Sequence, residues 1–192
     1  MIRGELFSQD MVKAFLENRK FRTSRPIKHG FDAVYKATCA RGKWSETYGN
    51  HIPDSVIEWY VKNIAKPKHH IGDAIYVRET WSFENVNCKD QYVFKADKWD
   101  RSGLKWHPSI HMPREAARLW FRVTDVKAQN IKDMTEQDAV EDGFQDEYVE
   151  ELKRHHFAVA KFKDFWLNQY GADQPWMWVY RLQPITKEEA ET

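Results

Sequence analysis

Cysteine is nearly absent from this chain: Cys39 and Cys88 are the only two in 192 residues, far apart and in no CxxC pattern. That spacing excludes a disulfide-stapled scaffold and a cysteine-built zinc site, so the expected state is two reduced thiols in a cytoplasmic protein. No apolar run approaches the roughly 20 residues needed to span a bilayer. The opening Met1-Ile2-Arg3-Gly4-Glu5 lacks the apolar core of a signal peptide, and no membrane partner is expected. Net charge is scarce as well. Thirty Lys and Arg against 29 Asp and Glu leave a formal +1, which excludes a uniformly basic nucleic-acid coat.

Aromatic residues are plentiful, with 9 Trp, 8 Tyr and 11 Phe, and hydrophobic residues make up 42%. Disorder needs a chain poor in both, so this one folds, and its length suffices for one domain with a sizeable core. The near-zero net charge also hides a strong segregation. Arg19-Lys20-Phe21-Arg22-Thr23-Ser24-Arg25-Pro26-Ile27-Lys28 carries five fixed positive charges in ten residues. Residues 132–151 carry Asp133, Glu136, Asp138, Glu141, Asp142, Asp146, Glu147, Glu150 and Glu151 against the single base Lys132. The two segments could pair with each other or face different partners.

Hydrophobic periodicity and punctuation give an α+β order. A short strand is expected over Ile2 to Phe7, then a helix capped by Ser8 and running to about Asn18. The basic stretch reads as a loop that Pro26 ends. Residues 29–53 read as an insertion or long loop, and Asp54 caps a helix carrying Val56, Ile57, Tyr60, Val61 and Ile64. A strand follows at Ile75 to Val77, then a loop-rich region over 82–117 with a short strand at Tyr92–Phe94, then a strand over Leu119 to Val126. Thr135 opens a short helix that Gly143 ends, a long helix is expected from about Glu147 to Tyr170, and Trp176 to Leu182 forms a last strand before a frayed tail. The whole reads as one domain, 1–192, built on a small sheet or barrel.

Several constellations could carry chemistry. Guanidinium groups grip phosphate in bidentate fashion, so Arg19, Lys20, Arg22 and Arg25 are expected to line a phosphate groove. The plainer alternative is a solvated helix end favoured by the dipole. Thr23 lies close to Lys20 in sequence, and a Thr hydroxyl becomes a nucleophile only beside a base. A Lys amine can be that base where burial or neighbouring cations lower its pKa. Arg78-Glu79-Thr80-Trp81 is either an ion pair at a sheet end or a polar cleft floor beside a stacking aromatic. Pro108 and Pro113 prevent the helical spacing that would aim His107 and His111 at one metal ion, so neither a metal nor another cofactor is expected. The segment reads instead as a rigid wall with Trp106, His111 and Arg114 facing a ligand.

Taken in order, these segments resemble the ASCH domain family of the PUA-like superfamily, in particular its longer phage and prophage members. The resemblance is carried by Leu6-Phe7-Ser8 with Met11, by Arg19-Lys20-x-x-Thr23-x-Arg25-Pro26, and by Gly72-Asp73 leading to Val77-Arg78-Glu79-Thr80-Trp81. Pro108 to Arg114, Ala139 to Gly143 and Pro175 to Val179 complete it. It implies a PUA-like small β-barrel flanked by helices, elaborated at 29–71 and 82–107, with a cleft that binds RNA or a modified nucleoside or nucleotide. Arg19, Arg25, Arg78 and Arg114 would be its polar contacts, joined by Glu79, His111 and the stacking candidates Trp81 and Trp106. Some short members hydrolyse the acetyl amide of 4-acetylcytidine with a Lys, a Thr and a Glu. By motif these match Lys20, Thr23 and Asp142, so an amidohydrolase is the second implied function, with Asp in place of Glu. The family also often has Thr at the position of Phe21 and Arg at that of Ser24. A phage protein that binds a host protein through the acidic face at 133–151 is a third reading.

Overall fold

The structure, a computed structural model, describes residues 1–27, 53–86, 89–97, 103–149, 154–171 and 175–192. Both cysteines and residues 29–52, nearly all of the insertion or long loop expected at 29–53, lie outside the described residues. The fold is α+β, as the element order predicts. Strand β1 (Ile2–Leu6) leads into helix α1 (Gln9–Leu16), whose N-cap Ser8 accepts from the Met11 amide. Strand β2 is Arg22–Pro26 and helix α2 is Asp54–Asn63. Strand β3 (Ala74–Arg78) is followed by a hairpin of β4 (Trp81–Val86) and β5 (Lys89–Phe94). Strand β6 is Trp120–Asn130, and helix α3 (Glu136–Glu141) starts at a capping box between Thr135 and Asp138. A second hairpin, β7 (Glu147–Val149) with β8 (Arg154–His156), precedes helix α4 (Ala158–Tyr170), strand β9 (Trp176–Ile185) and helix α5 (Lys187–Glu191).

Five strands make one sheet in the order β1-β3-β6-β9-β2, with β1 parallel to β3 and every other pairing antiparallel. Its two faces bury different partners. Phe121, Val123, Tyr180 and Leu182 pack with Phe7, Val12 and Phe15 in one core. Met177 and Val179, which alternate with Trp178 and Tyr180 along β9, pack instead with Ala139, Phe162 and Trp166 of α3 and α4. The sheet is open, and no ladder joins β1 to β2. It is nevertheless strongly curled, because Arg25 Nη2 on β2 donates to the Leu6 carbonyl on β1 at 2.9 Å. A flat sheet would hold those outer strands roughly 19 Å apart, beyond the reach of one side chain.

Four expectations are corrected. The basic stretch is not a loop: Arg22–Pro26 pairs with Met177–Arg181, and Pro26 is tolerated because β2 is an edge strand. The helix expected from Glu147 begins only at Ala158, because Asp146 Oδ1 accepts from the Ala158 amide at 2.8 Å and so caps the helix instead of entering it. The loop-rich region after residue 82 contains the β4–β5 hairpin. The tail is ordered, since Thr186 and Glu189 form a capping box and Ala190 packs beside Trp120.

Candidate functional site

A cleft of about 870 Å3 opens where the curled sheet fails to close, between the end of β1 (Gly4 to Phe7) and β2 (Thr23 to Pro26). Lys20 and Asp142 lie at its margin, and Phe144, Phe162, Phe165 and Tyr170 supply an aromatic wall. Register decides which face of β2 each side chain takes. Thr23 and Arg25 sit opposite Tyr180 and Trp178, on the face of the inner core. Arg22 and Ser24 sit opposite Arg181 and Val179, on the face covered by α3 and α4.

The sequence brings the basic and acidic segments together through three local devices. The chain leaves α1 with Asn18 at φ 53° and the amides of Arg19 and Lys20 on the Ala14 carbonyl. The Phe21 amide donates to Glu141 O at 2.9 Å, docking the end of α3 beside β2. Gly143, at φ 96°, lets α3 end in close contact: a Cβ there would lie 2.9 Å from that of Ala14. The result is a buried polar knot. Lys20 Nζ lies 2.8 Å from Asp142 Oδ1 and 2.5 Å from the Asp142 carbonyl, while Ser24 Oγ donates to Oδ2 at 2.6 Å. Arg22 Nε approaches the same Oδ2 at 3.3 Å, and its guanidinium also reaches Asp138 and Gln129.

Burial pushes the Lys20 amine down from its ordinary range, the charges of Arg25 and Arg22 push the same way, and the Asp142 carboxylate opposes them. A lysine so placed gives up its proton more readily than one in water, which is what lets an amine act as a base near neutral pH. Thr23, 4% exposed, lines the same cleft. Lys20, Thr23 and Asp142, singled out from distant parts of the sequence, are therefore brought to one cavity.

The ligand-binding expectations divide. Arg25 and Arg78 line the cleft. Arg19 does not; it pairs with Glu17 at 2.5 Å and donates to Gly143 O. Arg22 is also spent, 1% exposed and bound to carboxylates. Glu79 is buried and held in a two-point pair by Arg118, at 2.9 and 3.0 Å, which is the ion-pair alternative for that segment. Trp81 stacks on His107 at 4.9 Å, away from the cleft. Trp106 and His111 do not line it either, and Arg114 pairs with Glu191 at 2.8 Å and lies over Trp120. The prolines explain this failure: Pro108 and Pro113 each open a single 3-10 turn, and of that segment only Ser109 reaches the cleft.

Sequence reasoning missed Glu5, Ser24, Lys68 and the aromatics of α4. Glu5 is 8% exposed in a strand whose neighbour Leu6 is 42% exposed, so the hydropathy of β1 runs opposite to its burial. Its carboxylate takes Lys68, His69 Nε2 at 2.8 Å, and Arg25 Nε at 3.7 Å. Burial would raise its pKa, but the hydrogen bonds from His69 and Lys68 and the nearby cations win and lower it to about 2. The acidic segment is also largely engaged within the molecule: Asp138 with Arg22, Glu141 with Arg181, Asp142 with Lys20, Glu147 with Lys161, and Glu136 and Asp146 at the start of α4. Among the described residues no three His, Cys, Asp or Glu converge as metal ligands, and no helix is long and apolar enough to cross a membrane. Compared with known proteins, the chain matches no family model, no curated protein and no solved structure.

Proposed function

We propose that this chain is a PUA-like, ASCH-type protein that binds RNA or a modified nucleoside in the cleft between β1 and β2. The observation that carries this reading is the composition of that one cavity, which combines cationic side chains with an aromatic wall from α4. Cations grip phosphate and aromatic faces stack on bases, a combination common in single-strand and nucleotide sites. The curl of the sheet, which leaves a slot where a barrel would close, supports the PUA-like reading. Equilibrium binding of short single-stranded RNAs at rising salt tests it. Affinity is expected to fall with salt by about 0.7 in log–log slope per phosphate engaged. Arg25→Ala should weaken binding several-fold and flatten that slope. Binding insensitive to both salt and this substitution would overturn the reading.

A second reading, hydrolysis of an N-acylated pyrimidine nucleoside, is favoured by the lowered amine of Lys20 and the Thr23 hydroxyl lining one cavity. In it Thr23 Oγ attacks the acyl carbonyl, its proton passes to Lys20, and the C–N bond breaks as the amine leaves with a proton. Water then hydrolyses the acyl-threonine ester. Asp142 is the group that holds Lys20, and Ser24 in turn holds Asp142. Incubation with N4-acetylcytidine should release cytidine and acetate, and Thr23→Val should slow this at least a hundredfold. Turnover unchanged in Thr23→Val removes Thr23 as the nucleophile, and no turnover in the unmodified protein removes the reaction.

A further inference from the structure

Three cations from three separate elements line the cleft. Arg25 comes from β2, Lys68 from the segment before β3, and Arg78 from the last position of β3. Arg25 and Lys68 both approach the carboxylate of Glu5, which lines the same cavity. Tyr76 and Arg78 both run across Gly4: a Cβ there would lie 2.6 Å from Tyr76 Cζ and 2.7 Å from Arg78 Cδ, so the glycine makes room for both side chains. Its Nη2 donates to the Ile110 carbonyl.

One carboxylate cannot balance three cations, and two positive charges remain in excess. Glu5 is committed to Arg25 and Lys68: His69, 2% exposed and edge-on to the Tyr180 ring at 5.3 Å, donates from Nε2 to one carboxylate oxygen and fixes it in place. Nε of Arg25 and Nε of Arg78 are both buried without a hydrogen-bond partner among the described residues. Arg and Lys groups held in place by surrounding contacts, with a donor on each arginine still unpaired, are what a phosphate requires. The other described cations of the basic segment are not available for this, because Arg19, Lys20 and Arg22 are bound to Glu17, Asp142 and Asp138.

We propose that Arg25, Lys68 and Arg78 form an anion subsite that takes the phosphate group of the ligand. The inference rests on the nucleoside-scale reading of the cleft above and narrows it: the preferred ligand is a nucleotide or an RNA segment, in place of a free nucleoside.

Calorimetric titration of the full chain with the four common nucleosides, their 5′-monophosphates and dinucleoside monophosphates tests this, with inorganic phosphate as a separate probe. Monophosphates should bind at least about tenfold tighter than the matching nucleosides, a gain of about 1.4 kcal/mol. Lys68→Met, at a position whose side chain is 55% exposed, should shrink that ratio several-fold. Gly4→Ala keeps every charge but crowds Tyr76 and Arg78 together, and should shrink it too. Dinucleoside monophosphates binding as tightly as monophosphates would assign the subsite to an RNA backbone, and weaker binding would assign it to a free phosphate monoester. Equal affinity for nucleosides and monophosphates, or a ratio untouched by Lys68→Met, overturns the subsite and leaves the nucleoside reading standing. Phosphate binding that depends on Lys68, with no gain from any nucleoside moiety, upholds the subsite and overturns the nucleoside reading. Absence of binding by every phosphate compound overturns the subsite.

Discussion

Asp142→Ala is expected to cost about 3–5 kcal/mol of folding stability, a large share of what a domain of this size possesses. The side chains of Lys20 and Asp142 are 2% and 4% exposed, so water cannot replace either partner. Truncating Asp142 strands the Lys20 ammonium, removes one of the two carboxylates on Arg22, and leaves the Ser24 hydroxyl without its acceptor. Urea denaturation measures the loss. Asp142→Asn keeps the shape and one acceptor oxygen and should lose less. A paired change, Lys20→Met with Asp142→Leu, removes both charges together and should recover much of the stability, because buried pairs are costly to break but not to replace. An Asp142→Ala protein within about 1 kcal/mol of the unmodified one would mean that the knot contributes little to folding.

Glu5→Gln is expected to remove on the order of 3 kcal/mol at neutral pH and to flatten the acid limb of the stability curve. The Glu5 carboxyl is lowered from 4.5 to about 2 in the folded protein, against burial, by His69, Lys68 and Arg25. Because the folded value is the lower one, the unfolded chain binds more protons between the two. The contribution of Glu5 is therefore complete above about pH 4.5 and is lost as pH falls through that value toward 2. Asp138 is also lowered to about 2; burial opposes this, and Gln129, the Thr135 cap and Arg22 outweigh it, so some acid dependence should survive the substitution. Unfolding free energies measured across this range, for both proteins, decide the matter. Parallel curves would show that Glu5 titrates alike in the folded and unfolded chains.

Much of the fold is legible in the sequence because its signals are local. Ser8, the Thr135–Asp138 box and Gly143 mark helix ends by side-chain and backbone chemistry that acts within one turn. Strand β2 is not legible in the same way. Arg22, Thr23, Ser24 and Arg25 show no hydrophobic alternation, and only the pairing with β9 makes them a strand. Helix α4 is over-extended in the sequence reading because acids favour both helix interiors and helix caps, and tertiary contact alone chooses the cap.

The site divides along the same line. Lys20, Thr23 and Asp142 are found through a motif resemblance, and the structure places all three on one cavity. Glu79 and Arg114 are drawn into ion pairs elsewhere, and Trp106 does not line the cleft. Ser24 carried a usable signal. It alternates with Arg22 along an extended segment, which puts both on the side opposite Thr23 once the segment is known to be a strand.

The missing ladder between β1 and β2 has a mechanical consequence. Backbone hydrogen bonds tie every other neighbouring pair of strands in the sheet, whereas these two lips are bridged by the Arg25 side chain and its contacts with Leu6 and Glu5. Widening the mouth therefore breaks no main-chain pairing, and the body of the sheet can stay intact while a guest enters. A guest that touches both lips takes over the job of the absent ladder, so its binding energy adds directly to the resistance of the whole sheet to unfolding.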